Sequence, residues 1–360
     1  MSINCAEFLS YIAKHPDIPI SQLLGDNYVY ERKLRVFYAQ AGERTGSLDP
    51  HANLLSVFDN KDKADIRFRA RTRETDEERG KYILQLKPEN RMQDGSPAIV
   101  NTLNEFRSNF VYFSDESLKD MDWSNVVAAG GSVCTALLPV PPKYKRNIAS
   151  HLDYYDNVVA PGSDVDLFLY GLTEAQAIRK IRDIYAAIKK SKFPKEPTII
   201  RTKHAITFVI GYPTRHVQII LHLYKSISEI LTGFDVDCSC VAYDGHTVYA
   251  SPRGLAAYIF RINTVDLTRR SPSYETRLFK YFERGFEVHW PRLERSKIDR
   301  CIYINPTAKH VGLALLLVLP ILKRRSKGIK GNSMYGTFVR FPYSLIYQQR
   351  MHLRIHDPNI

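Results

Sequence analysis

Cysteine is scarce in this 360-residue chain. The five, Cys5, Cys134, Cys238, Cys240 and Cys301, are odd in number and lack any Cys-x-x-Cys spacing. That excludes a disulfide framework and a thiolate zinc site. A reducing, intracellular compartment fits, cytoplasmic or nuclear. Long apolar runs are missing as well. The longest, Val311 to Leu322, is broken by Pro320, whereas a membrane-spanning helix needs about 20 residues. We expect a buried helix there and no membrane partner. Met1 to Ser10 is mixed and contains Glu7, unlike a secretory signal. There is no internal repeat and no low-complexity tract. Acid is also in deficit: Asp plus Glu is 38 against 51 Lys plus Arg, a net charge of +13. An excess of base favours phosphate-rich partners such as nucleotides, RNA or DNA. No feature reports an oligomeric state.

What is present reads as a globular α+β chain. Hydrophobic residues are 44% and charged residues 25%, ordinary for a packed core. Helical spacing covers residues 2–14 and 98–110, and residues 28–90 read as mixed strands and loops. Within the latter, Arg67, Arg69, Arg71 and Arg73 alternate with other residues. On a strand they would share one face, as a phosphate-binding stripe or as the charged face of an edge strand. Val126 to Ala129 is a short apolar strand, followed by Gly130-Gly131-Ser132 and a helical run that ends at Pro139. Residues 139–163 read as a long basic, aromatic loop. Ser163 to Tyr170 is a strand, and Thr173 with Gln176 makes a capping box for the next helix. Strand-like runs follow at 198–202, 205–211, 216–224 and 234–243. The pattern then turns helical over 252–261 and 271–284. The expected organisation is an N-terminal α+β region at 1–121, a core at 122–250 and a mainly helical C-terminal module at 251–360.

Two features carry chemistry. In a strand, Val165, Leu167 and Leu169 face a core, while Asp164 and Asp166 share the other side about 7 Å apart. Paired carboxylates repel one another. A divalent cation resolves the conflict, and Mg²⁺ takes one or two carboxylates with phosphate oxygens and water. Gly130, Gly131 and Ser132, opening a helix, form a turn that a phosphate can approach closely, and Ser132 adds a hydroxyl donor. A phosphate cradle followed by a metal-binding acid pair is the apparatus for moving a nucleotidyl group.

The order of these features resembles the nucleotidyltransferase superfamily: CCA-adding enzymes, poly(A) polymerases and DNA polymerase β. Gly130, Gly131, Ser132, Asp164 and Asp166 match its pattern. The stretch from Ser132 to Asp164 is far longer than in compact members, so 139–163 reads as an insertion. Phe234 to Asp244 is similar to a strand of the CCA-adding enzymes. Glu275, Arg277, Leu278, Lys280 and Tyr281, ending at Gly285-Phe286, are similar to the helix that follows there. The wording also resembles uncharacterised ankyrin-associated proteins of fungi and large DNA viruses. The resemblance covers roughly 123–290. It implies a polymerase β-like mixed sheet with helices, Mg²⁺ or Mn²⁺ at Asp164 and Asp166, and a nucleoside triphosphate as partner. It also implies that Tyr274, Arg277 and Lys280 contact that nucleotide.

The superfamily normally adds a third carboxylate on a later strand. By strand order, Gln218 occupies that place, and an amide cannot take a proton. Asp237 is the candidate replacement, since Asp235 and Asp237 would share a strand face. Alternatively, both pair with neighbours such as Arg277. The leading expectation is transfer of a nucleoside monophosphate from a triphosphate to a hydroxyl. The alternative is a degenerate nucleotide sensor or a nucleic-acid-binding module.

Overall fold

The computed structural model describes residues 4–15, 18–40, 48–71, 74–191 and 196–328. It contains β1 (Leu55–Ser56), β2 (Tyr82–Leu84), β3 (Val126–Ala129), β4 (Val165–Tyr170), β5 (Thr198–Arg201) and β6 (Ala205–Val209). Then come β7 (Val217–Tyr224), β8 (Val241–Tyr243), β9 (Val248–Ala250), β10 (Ile262–Thr264) and β11 (Glu287–His289). Eight of them form one mixed sheet in the order β1-β9-β8-β3-β4-β7-β6-β5. Neighbours run antiparallel except β4 and β7, which are parallel. The chain is therefore α+β, with a large mixed sheet flanked by helices.

β4 lies at the middle of this sheet because its alternation suits two unlike faces. Val165, Leu167 and Leu169 are 0–1% exposed and enter the main core. Phe168 points the other way, into a smaller cluster with Val127, Ala129 and helix Ile227–Thr232. Asp164 and Asp166 share the side of Phe168 by the period of two. Helix Glu174–Lys190 starts at the predicted capping box and buries Ala177, Ile184 and Ile188 at helical spacing. A turn that includes Asp244 and Gly245 joins β8 to β9. Gly245 has φ +89°, and a Cβ there would fall 2.2 Å from the Trp123 ring.

Several expectations need correction. Residues 28–90 carry a long helix, Gly25–Gln40, as well as β1 and β2. Its buried positions are Glu31 and Leu34, so a charged residue interrupts the apolar spacing that would have revealed it. The helix expected at 98–110 instead spans Leu103–Ser114, where the Thr102 side chain accepts from Glu105 N. The segment 139–163 is not a plain loop. It contains a 3-10 turn at Pro142–Tyr144, helix Ile148–Asp153 and a π-helical stretch at Tyr154–Val159. Arg215 fastens it from within, donating to the carbonyls of Tyr155, Ala160 and Ser163 at 2.7–3.0 Å. The part after residue 250 has the expected helices Pro252–Phe260 and Tyr274–Phe282. It also has β10 and β11, which are parallel and form a second sheet with β2.

The arginine stripe is not a free strand face either. Arg67 pairs with Asp65, Arg69 donates to Ile12 O, and Arg71 pairs with Glu287. Arg73 lies outside the described residues. The apolar run 311–322 falls mostly in helix Leu313–Gly328, with Leu316, Val318 and Leu319 buried. Among the described residues no helix is long and apolar enough to cross a membrane.

Candidate functional site

The acid pair and the glycine turn meet at the same end of the central strands β3 and β4. β3 is hydrogen-bonded to β4, so the turn that leaves β3 lies beside the start of β4. Gly130 has φ +80°, and a Cβ there would meet the Phe234 ring at 3.2 Å. Only glycine takes this conformation without strain. Gly131 begins helix Gly131–Leu137; a Cβ on it would lie 3.4 Å from Tyr281 Oη and 4.0 Å from Lys280 Nζ. The helix from Tyr274 to Phe282 therefore brings Lys280 over the turn. Ser132 is 1% exposed, and its Oγ has no hydrogen-bond partner among the described residues. A buried hydroxyl without an acceptor is costly, and a phosphate oxygen would relieve it. The helix has only seven residues, so its dipole contributes little. The groups that face this turn are its backbone, Ser132 and Lys280.

Asp164 and Asp166 are partly buried and have no ion-pair partner within 4 Å among the described residues. Burial raises both carboxyls to about 6. For Asp166 the charge of Asp164 adds to the rise, and Lys280 opposes it at both. Lys280 is itself lowered to about 8, first by burial and then by Arg284, while the two aspartates act in the other direction. Two acids and a lysine thus share a poorly solvated space, each at a cost to its charged form.

Gln218 stands beside this pair. β4 and β7 are in parallel register with Asp166 opposite Gln218, and Gln218 Nε2 donates to Thr207 Oγ1 at 3.1 Å. The position at which the resemblance implies a third acid thus holds an amide bonded to Thr207 of β6.

Other expected site residues are placed elsewhere. Asp237 is in a 3-10 turn, Asp237–Ser239, rather than a strand. One of its oxygens accepts from Arg253 Nη1 at 2.9 Å and the other from Thr264 N at 2.7 Å. Arg253 also pairs with Glu31 at 2.9 Å. Asp237 is therefore 5% exposed and engaged on both oxygens, which corrects its assignment as the third acid. Asp235 pairs with Arg277, which also donates to Ser271 Oγ. Tyr274 is fully buried, and its hydroxyl accepts from Asp266 N at 3.1 Å. Burial removes it as a stacking surface for a base. Arg277 still lies within electrostatic reach of Asp166. Cys238 and Cys240 are buried packing residues.

Sequence reasoning missed Arg284. It donates to Thr135 Oγ1 at 2.9 Å and to Ser163 Oγ at 3.1 Å. It thereby ties the helix after the glycine turn to the residue before Asp164. It lies in the turn just after helix Tyr274–Phe282, four residues beyond Lys280, and that closeness in sequence was the available signal.

The donor chemistry allows one kind of cation site. Two carboxylates suit Mg²⁺ or Mn²⁺ shared with phosphate oxygens. No group of three or more His, Cys, Asp or Glu among the described residues is placed to hold a metal, so an all-protein cage is not what these residues build.

Comparison with known proteins adds a relationship. Residues 103–260 match the family described as Gabija anti-defense 2 family protein. The chain is also 34% identical over 219 residues to an uncharacterized protein of Acanthamoeba polyphaga mimivirus. That match takes in 57% of this chain and 44% of the relative, so the chain spans less than half of the viral protein. The stretch similar to the anti-defense family holds Gly130, Ser132, Asp164, Asp166 and Gln218. Lys280 and Arg284 lie beyond it.

Proposed function

We propose that this chain is a nucleotidyltransferase of the polymerase β-like type, moving a nucleoside monophosphate from a triphosphate to a hydroxyl. The observation that carries this reading is the convergence of Asp164, Asp166, Lys280 and the unpartnered Ser132 hydroxyl at one glycine turn. Such a set has little reason to persist in a core except to receive a cation and a phosphate chain.

Each residue has a part. The Gly130–Gly131 turn lets phosphate oxygens come close to the backbone, and Ser132 donates to one of them. Lys280 offsets the charge of the triphosphate tail. Asp164 and Asp166 would hold Mg²⁺ or Mn²⁺ against it. When bound, the cation would neutralise the acid pair and draw electron density from the phosphate under attack. Gln218 can hydrogen-bond a hydroxyl, but it cannot take its proton. We therefore expect slow turnover, because general-base assistance is commonly worth about 10²–10⁴-fold.

One observation favours a second reading. With Gln218 beside Asp166 and both oxygens of Asp237 engaged, the site could bind a nucleotide and its cation without transferring it. Incorporation of an α-labelled nucleotide, compared with Asp166→Asn, separates the two. Label transfer by the parent and not the variant supports the transferase. Binding without transfer supports the sensor. A nucleic-acid-binding role based on the arginine stripe is weaker, since Arg69 and Arg71 are tied to Ile12 and Glu287. The matched family's description gives the setting in which we place this chemistry, the countering of a defence system.

A further inference from the structure

A cleft of about 480 Å³ has Arg284 in its lining. Its lining includes four arginines, Arg71, Arg91, Arg261 and Arg284, and two acids, Glu283 and Glu287. The acids are already committed. Glu287 accepts from Arg71, from Arg91 at 3.2 Å and from Leu86 N at 2.7 Å. Glu283 pairs with Lys323.

The other two arginines have no such match. Arg261 is 7% exposed; one Nη donates to Ala98 O at 2.8 Å, and its Nε has no acceptor among the described residues. Among the described residues, neither Arg261 nor Arg284 has a carboxylate within ion-pair distance. Burial lowers the Arg261 guanidinium's affinity for its proton. A buried cation that lacks an anion is costly unless a ligand supplies one.

Much of the remaining lining is apolar: Leu138, Pro139, Val158, Val159 and Met92, with Tyr154 among them. Tyr154 to Val159 is the π-helical stretch, a local geometry found disproportionately at functional sites. A cleft lined by two arginines without carboxylate partners and by several apolar side chains suits an anion carried on a flat or apolar body.

We propose that this cleft is a separate binding site for a small phosphomonoester of nucleoside monophosphate size, its phosphate held by Arg261 and Arg284. The inference goes beyond the transferase reading and does not depend on it. Arg284 joins the two places, because it also donates to Ser163, the residue before Asp164.

Calorimetry or ligand-observed NMR in EDTA tests it with the acid pair left without metal. AMP or GMP should bind the full chain at least tenfold more tightly than adenosine or guanosine. Arg261→Lys keeps the charge and removes the fork, and should weaken the monophosphate at least tenfold. Val158→Trp should do the same by filling the cleft. Val158 is 50% exposed, so this variant keeps the fold if the lysine variant does not. The proposal is overturned if neither monophosphate binds, if the nucleosides bind equally well, or if a folded Val158→Trp protein binds like the parent. A 5′-phosphorylated oligonucleotide that binds more than tenfold more tightly than AMP would overturn the assignment to a small ligand.

Discussion

Asp166 and Gln218 stand opposite one another on β4 and β7, the one parallel pair of neighbours in the large sheet. A carboxylate and an amide thus occupy adjacent positions where two carboxylates would make the site a stronger cation holder and give it a base. Replacing Gln218 with Glu or Asp should raise transfer of labelled nucleotide by about tenfold or more, measured at saturating Mn²⁺. No gain from either substitution would mean that the amide is not what restrains turnover.

The acid pair makes the metal-free protein pH-sensitive. Both carboxyls are raised from an ordinary 3.8 to about 6, mainly by burial. The folded state therefore holds more protons than the unfolded chain between those values. The stabilisation is fully present below about 4 and is lost as pH rises through 6. Asp166→Asn removes the penalty of ionisation at pH 7.5, so the apo variant should be more stable there by about 1–2 kcal/mol. The two melting curves should converge near pH 4, and saturating Mn²⁺ with a triphosphate should stabilise only the parent. A variant less stable than the parent at pH 7.5 would show that Asp166 holds the fold together through its charge.

The glycine turn sets a local strain limit. Gly130→Ala places a Cβ at φ +80° and 3.2 Å from Phe234, so thermal melting should show a loss of about 1–3 kcal/mol. Nucleotide affinity should fall further than stability alone explains. A fully stable Gly130→Ala protein would mean that the turn relaxes easily and does not shape a cradle.

Arg253 anchors the far side of the same region. It is 2% exposed and bonded to Glu31, Asp237 and the Phe234 carbonyl. Arg253→Ala leaves Asp237 without its ion-pair partner in the core and Glu31 with Arg269 alone, and should cost about 3–5 kcal/mol in chemical denaturation. Asp237→Asn should be milder, since it keeps hydrogen-bonding capacity. If Asp237→Asn instead abolished metal-dependent nucleotide binding while leaving stability intact, Asp237 would regain a site role.

Much of the centre was legible because short-range pattern governs it. The alternation of Val165, Leu167 and Leu169 with the acids placed β4, and Thr173 with Gln176 placed the start of the following helix. The roles of Asp237 and Tyr274 were not legible. They depend on partners that no local periodicity reveals: Arg253 and Thr264, sixteen and twenty-seven residues on, for Asp237, and the backbone N–H of Asp266, across a turn, for Tyr274. Helix Gly25–Gln40 was hidden because its buried Glu31 is neutralised by Arg253 and Arg269, more than two hundred residues away. The same limit conceals Arg261 and Arg284, whose common cleft exists only after folding.

The most direct measurement is Mn²⁺ binding followed by electron paramagnetic resonance, with and without a non-hydrolysable nucleoside triphosphate, at pH 7.5. We predict that Mn²⁺ alone binds weakly, that the triphosphate strengthens it at least tenfold, and that Asp166→Asn abolishes the gain while remaining folded. Equal Mn²⁺ and triphosphate binding by the parent and Asp166→Asn proteins would contradict the assignment of Asp164 and Asp166 as a shared cation site.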